Sequence, residues 1–150
     1  MQPGLPLDPD GRLGLALAVV VDIALHGTAG PVGGGAVAER LGQSARGIEP
    51  LLQSLSRAGI LASTRGRGGG YRLARARQDI SAGEVARAMD PGVPLNESRP
   101  LVARVVAPVL ADAAEAALLR LDRISLEALC RKAIEAGLSP APPSRLTWAI

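Results

Sequence analysis

The chain has 150 residues, 47% of them apolar, which fits one globular domain with an appendage. Phe is absent and Trp and Tyr occur once each, so Ala, Val, Leu and Ile must build the core, and the aromatic platforms that stack exposed bases are excluded. The net charge of +3 is unevenly spread: between residues 40 and 77, eight Arg (Arg40, Arg46, Arg57, Arg65, Arg67, Arg72, Arg75, Arg77) face one acid, Glu49, and the remainder is net acidic. Such polarity suits one face to a polyanion.

One Cys closes no internal disulfide, and one Cys with one His supplies neither a structural zinc site nor an all-Cys iron–sulfur cluster. No metal, no cofactor and a reduced cytoplasmic setting are therefore expected. The apolar run Leu13 to Val21 is preceded by Asp8 and Asp10 and closed by Asp22. At under half of a membrane span it reads as a buried helix and not as a signal-peptide core, so no membrane partner is expected.

Residues 1–11 carry three Pro and two Gly and read as a disordered arm. From Arg12 to Leu25 the nearly continuous apolar pattern, with Leu13, Leu17, Val20, Val21 and Ala24 at helical spacing, predicts a helix ended by His26-Gly27. His26 reads as a residue that stabilises the helix dipole there. After a Gly/Pro turn, a short helix with Val37, Ala38 and Leu41 on one face stops at Gly42. Ser44 then caps a second helix running through Ile48, Leu51, Leu52 and Leu55 to Gly59.

Counted from Gly34, Ala38 falls at position five, Gly42 at nine, Ile48 at fifteen and Leu51 at eighteen. This is the helix-turn-helix pattern: a small residue where the helices cross, a glycine to turn the chain, and apolar positions sealing the corner. Two strand-like runs, Ile60 to Arg65 and Tyr71 to Arg75, flank Gly66-Arg67-Gly68-Gly69-Gly70 and predict a hairpin with an Arg-bearing tip, completing a winged helix. A nucleotide-phosphate loop is excluded, because the G-x-x-x-x-G-K-[ST] spacing is missing and the loop joins two strands.

Ser81-Ala-Gly-Glu84 forms a capping box that opens a helix with Val85, Ala86 and Met89 facing inward, ended at Asp90-Pro91. Beyond a Pro-rich link, Leu101 to Leu121 forms a long helical pattern that Pro108 must begin or kink. Its apolar stripe (Val102, Val105, Val106, Val109, Ala113, Ala116, Ala117, Leu121) needs a partner surface, and a homodimer is expected. Ser125 opens a last helix with Leu126, Cys130 and Ile134 on one face, and the Pro-rich tail reads as disordered. The expected organisation is an arm at 1–11, a DNA-binding winged helix at 12–92, dimerisation helices at 93–137 and a tail at 138–150. In fold class this is mainly α with a small β-hairpin wing: a winged helix-turn-helix plus a long C-terminal dimerisation helix.

Residues 14 to about 137 resemble the IscR-like, or Rrf-two, winged-helix transcription regulators. The likeness rests chiefly on Arg65-Gly-Arg-Gly-Gly-Gly-Tyr-Arg-Leu-Ala-Arg75, similar to the family's R-G-P-G-G-G-Y-x-L-A-R wing. Asp22-Ile-Ala-Leu25, Val37-Ala-Glu-Arg40, Ile48-Glu49-x-Leu51 and Ile80-Ser-Ala-Gly-Glu84 support it. The resemblance implies a non-enzymatic homodimer on a double-stranded operator, with Ser44, Arg46 and Glu49 in the recognition segment and Arg65 in the wing. Arg57, Arg67, Gly68, Gly69, Tyr71 and Arg72 complete the candidate DNA-binding set.

The side-chain chemistry agrees, since Arg bonds guanine or phosphate, Glu accepts from the cytosine amino group, and a Gly tip permits close backbone approach. Glu49 reads equally as a surface acid paired to Arg46 or Arg57. Many family members hold an iron–sulfur cluster with three Cys after the winged module, and residues 90–99 here contain none. Gly47 stands where the family usually has Tyr, Arg67 replaces a wing Pro, and Pro50 predicts an irregular first turn in the recognition helix.

Cys130 is the candidate redox thiol, read first as a small buried hydrophobe. A small-molecule effector lodged between the module and the long helix, oxidation of Cys130, or control by abundance are the open routes of regulation. The leading expectation is a DNA-binding repressor. The rival is a winged-helix interaction module that binds an acidic partner.

Overall fold

The computed structural model describes residues 7–90 and 96–140. The first six residues of the expected arm, the first half of the expected link (91–95) and the tail from residue 141 lie outside the described residues. The elements in chain order are α1 (Arg12–His26), α2 (Gly34–Arg40), α3 (Ala45–Arg57), β1 (Leu61–Thr64), β2 (Gly70–Leu73), a 3-10 turn (Arg77–Asp79), α4 (Ala82–Met89), a π-helical turn (Val102–Val106), α5 (Ala107–Leu121) and α6 (Leu126–Glu135). Among the described residues no helix is long and apolar enough to cross a membrane.

Helices α2 and α3 end alike. Gly42 and Gly59 take φ of +64° and +73°, which only glycine adopts at little cost. The residues after them donate back into the last turn, Gln43 N–H to the Ala38 carbonyl at 2.9 Å and Ile60 N–H to the Leu55 carbonyl at 3.0 Å. The first of these turns sets the corner of the helix-turn-helix, and the second aims the chain into β1.

The core is aliphatic. Ala16, Val19, Val20 and Ile23 of α1 pack with Val37 and Ala38 of α2, Ile48, Leu51, Leu52 and Leu55 of α3, and Val85 and Met89 of α4. Leu13, Leu17 and Val21 are only partly buried, so the inner face of α1 is turned from the one its spacing suggests. Leu126 and Cys130 of α6 enter the same core. The core therefore does not close at residue 92, as the sequence led us to expect: α6 returns to cover α1, and Ile134, expected on its buried face, is half exposed.

Strands β1 and β2 pair antiparallel, Leu61 with Leu73 and Ser63 with Tyr71. Tyr71 also exchanges two 2.8 Å backbone bonds with Val32, making the segment before α2 a one-residue third strand. Gly70 allows this approach, because a Cβ there would lie 2.4 Å from the Val32 carbonyl.

Pro108 begins α5 instead of kinking it. Having no N–H, it cannot continue an α-helical ladder from the preceding turn, and the π-helical turn offers another register in which Ala107 N–H bonds the Val102 carbonyl. No residue of α5 is buried.

Candidate nucleic-acid interface

Helix α3 divides its residues sharply. Ile48, Leu51, Leu52 and Leu55 point into the core, while Arg46, Glu49, Gln53 and Arg57, spaced three or four apart, lie along the exposed side. Ser44 caps the helix, its hydroxyl accepting from Gly47 N–H at 3.0 Å. Pro50 sits inside the helix without breaking it. The carbonyl it cannot serve is that of Arg46, at an exposed site open to water.

Glu49 is not paired to Arg46 or Arg57. It accepts from the Gln53 amide at 3.4 Å and faces Tyr71. The Tyr71 phenol is pushed up by burial first and by the Glu49 carboxylate second. Tyr71 is half-buried, and its ring lies 3.8 Å from the site a Gly34 Cβ would take. It thus joins the wing to α2 and α3, whereas Arg72 alternates onto the other face of the hairpin, opposite Ala62. Gln53 went unnoticed in the sequence, although its i+4 spacing from Glu49 was a usable signal.

The eight arginines separate into two groups. Arg40 donates from Nε and Nη2 to both oxygens of Asp22, at 2.9 and 2.8 Å. Asp22 is the one buried charged side chain among the described residues, and His26 Nδ1 lies 3.4 Å from its carboxylate. Arg75 clasps Glu84, which also closes the Ser81 capping box, and Arg77 donates to the Ala24 carbonyl. These three arginines tie elements of the fold to one another. Arg46, Arg57, Arg65, Arg67 and Arg72 make no intramolecular ion pair or hydrogen bond among the described residues, so their charge is available to an outside partner.

The wing tip from Arg65 to Gly68 is exposed, and Gly69 N–H closes it by bonding the Gly66 carbonyl at 3.0 Å. Helix α3 packs directly against β1, so the strand that leads into the wing tip is anchored on the helix that carries the stripe.

The chain matches the Rrf2 family of iron-dependent transcriptional regulators over residues 10–132. It belongs to the Rrf2 family. A relative named HTH-type transcriptional regulator IscR, from Photobacterium profundum, is 44% identical over 78 residues. That alignment takes in 52% of this chain and 45% of the relative, so the chain spans about half the length of such relatives. Protein rrf2 of Nitratidesulfovibrio vulgaris is 34% identical over 122 residues, covering 77% of this chain and 81% of that protein. Among solved structures, T. potens IscR superposes with a TM-score of 0.69 at 29% identity, over 92% of this chain and 95% of that one. CymR, the global cysteine regulator of B. subtilis, gives 0.62 at 26% identity, over 84% and 98%.

The iron in the family's description does not fit the donors of this chain. Its one Cys is buried in α6, pushed up by burial against the opposing pull of Arg77, and its one His spends Nδ1 on Asp22 at the end of α1. A three-Cys cluster cannot be assembled from that set. A groove of about 580 Å³ runs beside the end of α5, lined by Ala116, Leu119, Arg120, Arg123 and Ile124.

Proposed function

We propose that this Rrf2-family chain is a sequence-specific regulator that binds a double-stranded operator as a homodimer in the cytoplasm, represses by occupying that site, and carries no iron–sulfur cluster. The observation that carries the reading is the joint exposure of Arg46, Glu49, Gln53 and Arg57 on α3 and of Arg65 and Arg67 on the wing. All these arginines are unpaired, and they sit on elements braced by a common core. In this reading α3 enters the major groove, where Arg46 and Glu49 meet base edges, Arg57 and Arg72 meet phosphate, and the Gly68-Gly69 tip lets the backbone approach the sugar edge.

The dimer is supported by α5, which buries none of its own residues while Leu101, Val105, Val109, Leu110 and Leu119 are each more than half exposed. Two-fold pairing along this helix would set two α3 helices one or two DNA turns apart, about 34 Å or a multiple. Leu101 and Leu110 extend the stripe read from the sequence.

Selection of bound fragments from the source genome tests this directly. A palindromic site should be enriched, and its affinity should fall with salt at a log–log slope of roughly −0.9 per phosphate contact neutralised. Absence of any enriched site would favour the rival, an interaction module meeting an acidic partner.

A further inference from the structure

The place where the long helix meets the rest of the molecule is a built joint. Helix α4 shares the core with α1 and α3, and it is the helix of the winged module against which α5 packs. A Cβ on Gly83, in the first turn of α4, would fall 1.8 Å from Asp122 Oδ1 and 2.9 Å from Asp122 N. The missing side chain is therefore the seat in which the end of α5 rests. Arg87, one turn further along α4, closes over that seat, Nη2 donating to Asp122 Oδ2 at 2.9 Å and Nη1 to Oδ1. Ala82 N–H to the Ile124 carbonyl and Leu126 N–H to the Ile80 carbonyl, both 2.8 Å, stitch the turn after α5 to the start of α4.

After Ala107, only Ala117, Leu118 and Leu121, beside this seat, are half-buried, whereas α5 is exposed from residue 108 to residue 116, so this joint governs the angle between the long helix and the recognition helix. Helix α5 is 15 residues long, about 22 Å. Over such a lever a tilt of about 10° moves the far end by roughly 4 Å, close to one base-pair step of about 3.4 Å.

We propose that Gly83, Arg87 and Asp122 are positioning residues that set the spacing at which two recognition helices meet DNA, a role that rests on the operator-binding dimer proposed above. None of the three touches DNA. Their effect is read in the geometry of the operator, not in the strength of each half-site contact.

The experiment uses the full chain, the selected operator, versions with one or two base pairs inserted or removed between half-sites, and an isolated half-site. Wild type should show a sharp spacing optimum. Arg87→Ala, an exposed change that leaves the core intact, and Gly83→Ala should each lose on the order of fivefold at the native spacing. Binding to sites one base pair away should change little, so the optimum flattens or moves. Half-site affinity and salt slope should stay as in wild type. Arg87→Lys, which keeps a cation within reach of the seated Asp122 carboxylate, should retain the optimum that Arg87→Ala loses, a rescue that a merely structural loss would not show.

An unchanged spacing profile in Arg87→Ala and Gly83→Ala overturns the joint while leaving the operator reading standing. So does a half-site loss with a shallower salt slope, which would make Arg87 a phosphate contact. A wild-type protein with no preferred site overturns the operator reading itself.

Discussion

Helices α3 and α5 are nearly equal in length, 13 and 15 residues, and stand in opposite relation to the core. Helix α3 buries Ile48, Leu51, Leu52 and Leu55 and offers a polar stripe to solvent; α5 buries nothing and leaves aliphatic side chains in water. One helix is finished by its own chain and the other is not. An amphipathic helix whose apolar side is satisfied can spend its polar side on recognition. A helix whose apolar side is open is stabilised by whatever covers it.

The sharpest way to break this contrast is to truncate one apolar residue on each helix. Leu52→Ala, at a fully buried site, should cost about 2–5 kcal/mol, read as a urea midpoint lowered by a similar amount at every protein concentration. Val109, at 67% exposure, should behave differently. Val109→Asp combined with Ala113→Asp should leave the unfolding of the isolated chain within about 0.5 kcal/mol but remove the concentration dependence of stability, and sedimentation should report a monomer. A dimer unchanged in sedimentation would remove α5 as the interface.

The buried ion pair sharpens what "finished by its own chain" means. Arg40→Met leaves the Asp22 carboxylate inside the module without its guanidinium, with only His26 nearby. Because the Arg40 side chain is itself one-third exposed, the expected loss is on the order of 2 kcal/mol, below that of a fully sealed pair. Arg46→Met, on the open side of α3, should cost almost no stability, and equal losses for the two would end the division of the arginines into structural and free.

That division was not legible in the sequence, and the reason is physical. Local signals were readable because the residues that act together sit together: Ser81 with Glu84, Gly42 and Gly59 at helix ends, Pro108 at a helix start. Arg40, Arg75 and Arg77 counted toward the basic segment because their partners, Asp22, Glu84 and the Ala24 carbonyl, lie 18, 9 and 53 residues away. The Val32–Tyr71 bridge and the seat of Asp122 on Gly83 are likewise products of tertiary approach. Composition can count charges; only packing says which are already taken.

Within the free group the two wing arginines should part company. In the operator complex proposed above, Arg65, at the base of the tip, would read groove width or a base edge, and Arg67, flanked by glycines, would meet phosphate. Arg65→Ala should cost about 1–3 kcal/mol on the operator and flatten discrimination between sequences. Arg67→Ala should weaken all sequences alike and lower the salt slope by about one. Equal, sequence-independent losses would show both to be phosphate contacts.

The smallest expected effect lies in acid, on α4, the helix that serves both sides of the contrast. The Arg75 guanidinium holds the Glu84 carboxyl below its ordinary value of 4.5, as Arg87 does for Asp122, so both carboxylates are more acidic in the folded chain. A depressed folded value means that the stabilisation is fully present above the ordinary value and is lost as pH falls through the folded one. Glu84 is 40% exposed, and its pairing is screened, so Glu84→Gln should cost under about 1 kcal/mol at neutral pH and nothing once the wild-type Glu84 carboxyl is protonated. The urea midpoints of wild type and Glu84→Gln, separate at pH 7, should therefore converge as pH falls through the lowered value. The Asp122 carboxyl is lowered in the same direction, but the two carboxylates sit on different joints: Glu84 braces α4 against the segment after the wing, and Asp122 ties α4 to α5. Glu84→Gln should accordingly move the midpoint with no change in operator spacing, and Asp122→Asn should move the spacing profile with little change in midpoint. Reversed effects would place the hinge of the molecule at Arg75 and Glu84 instead.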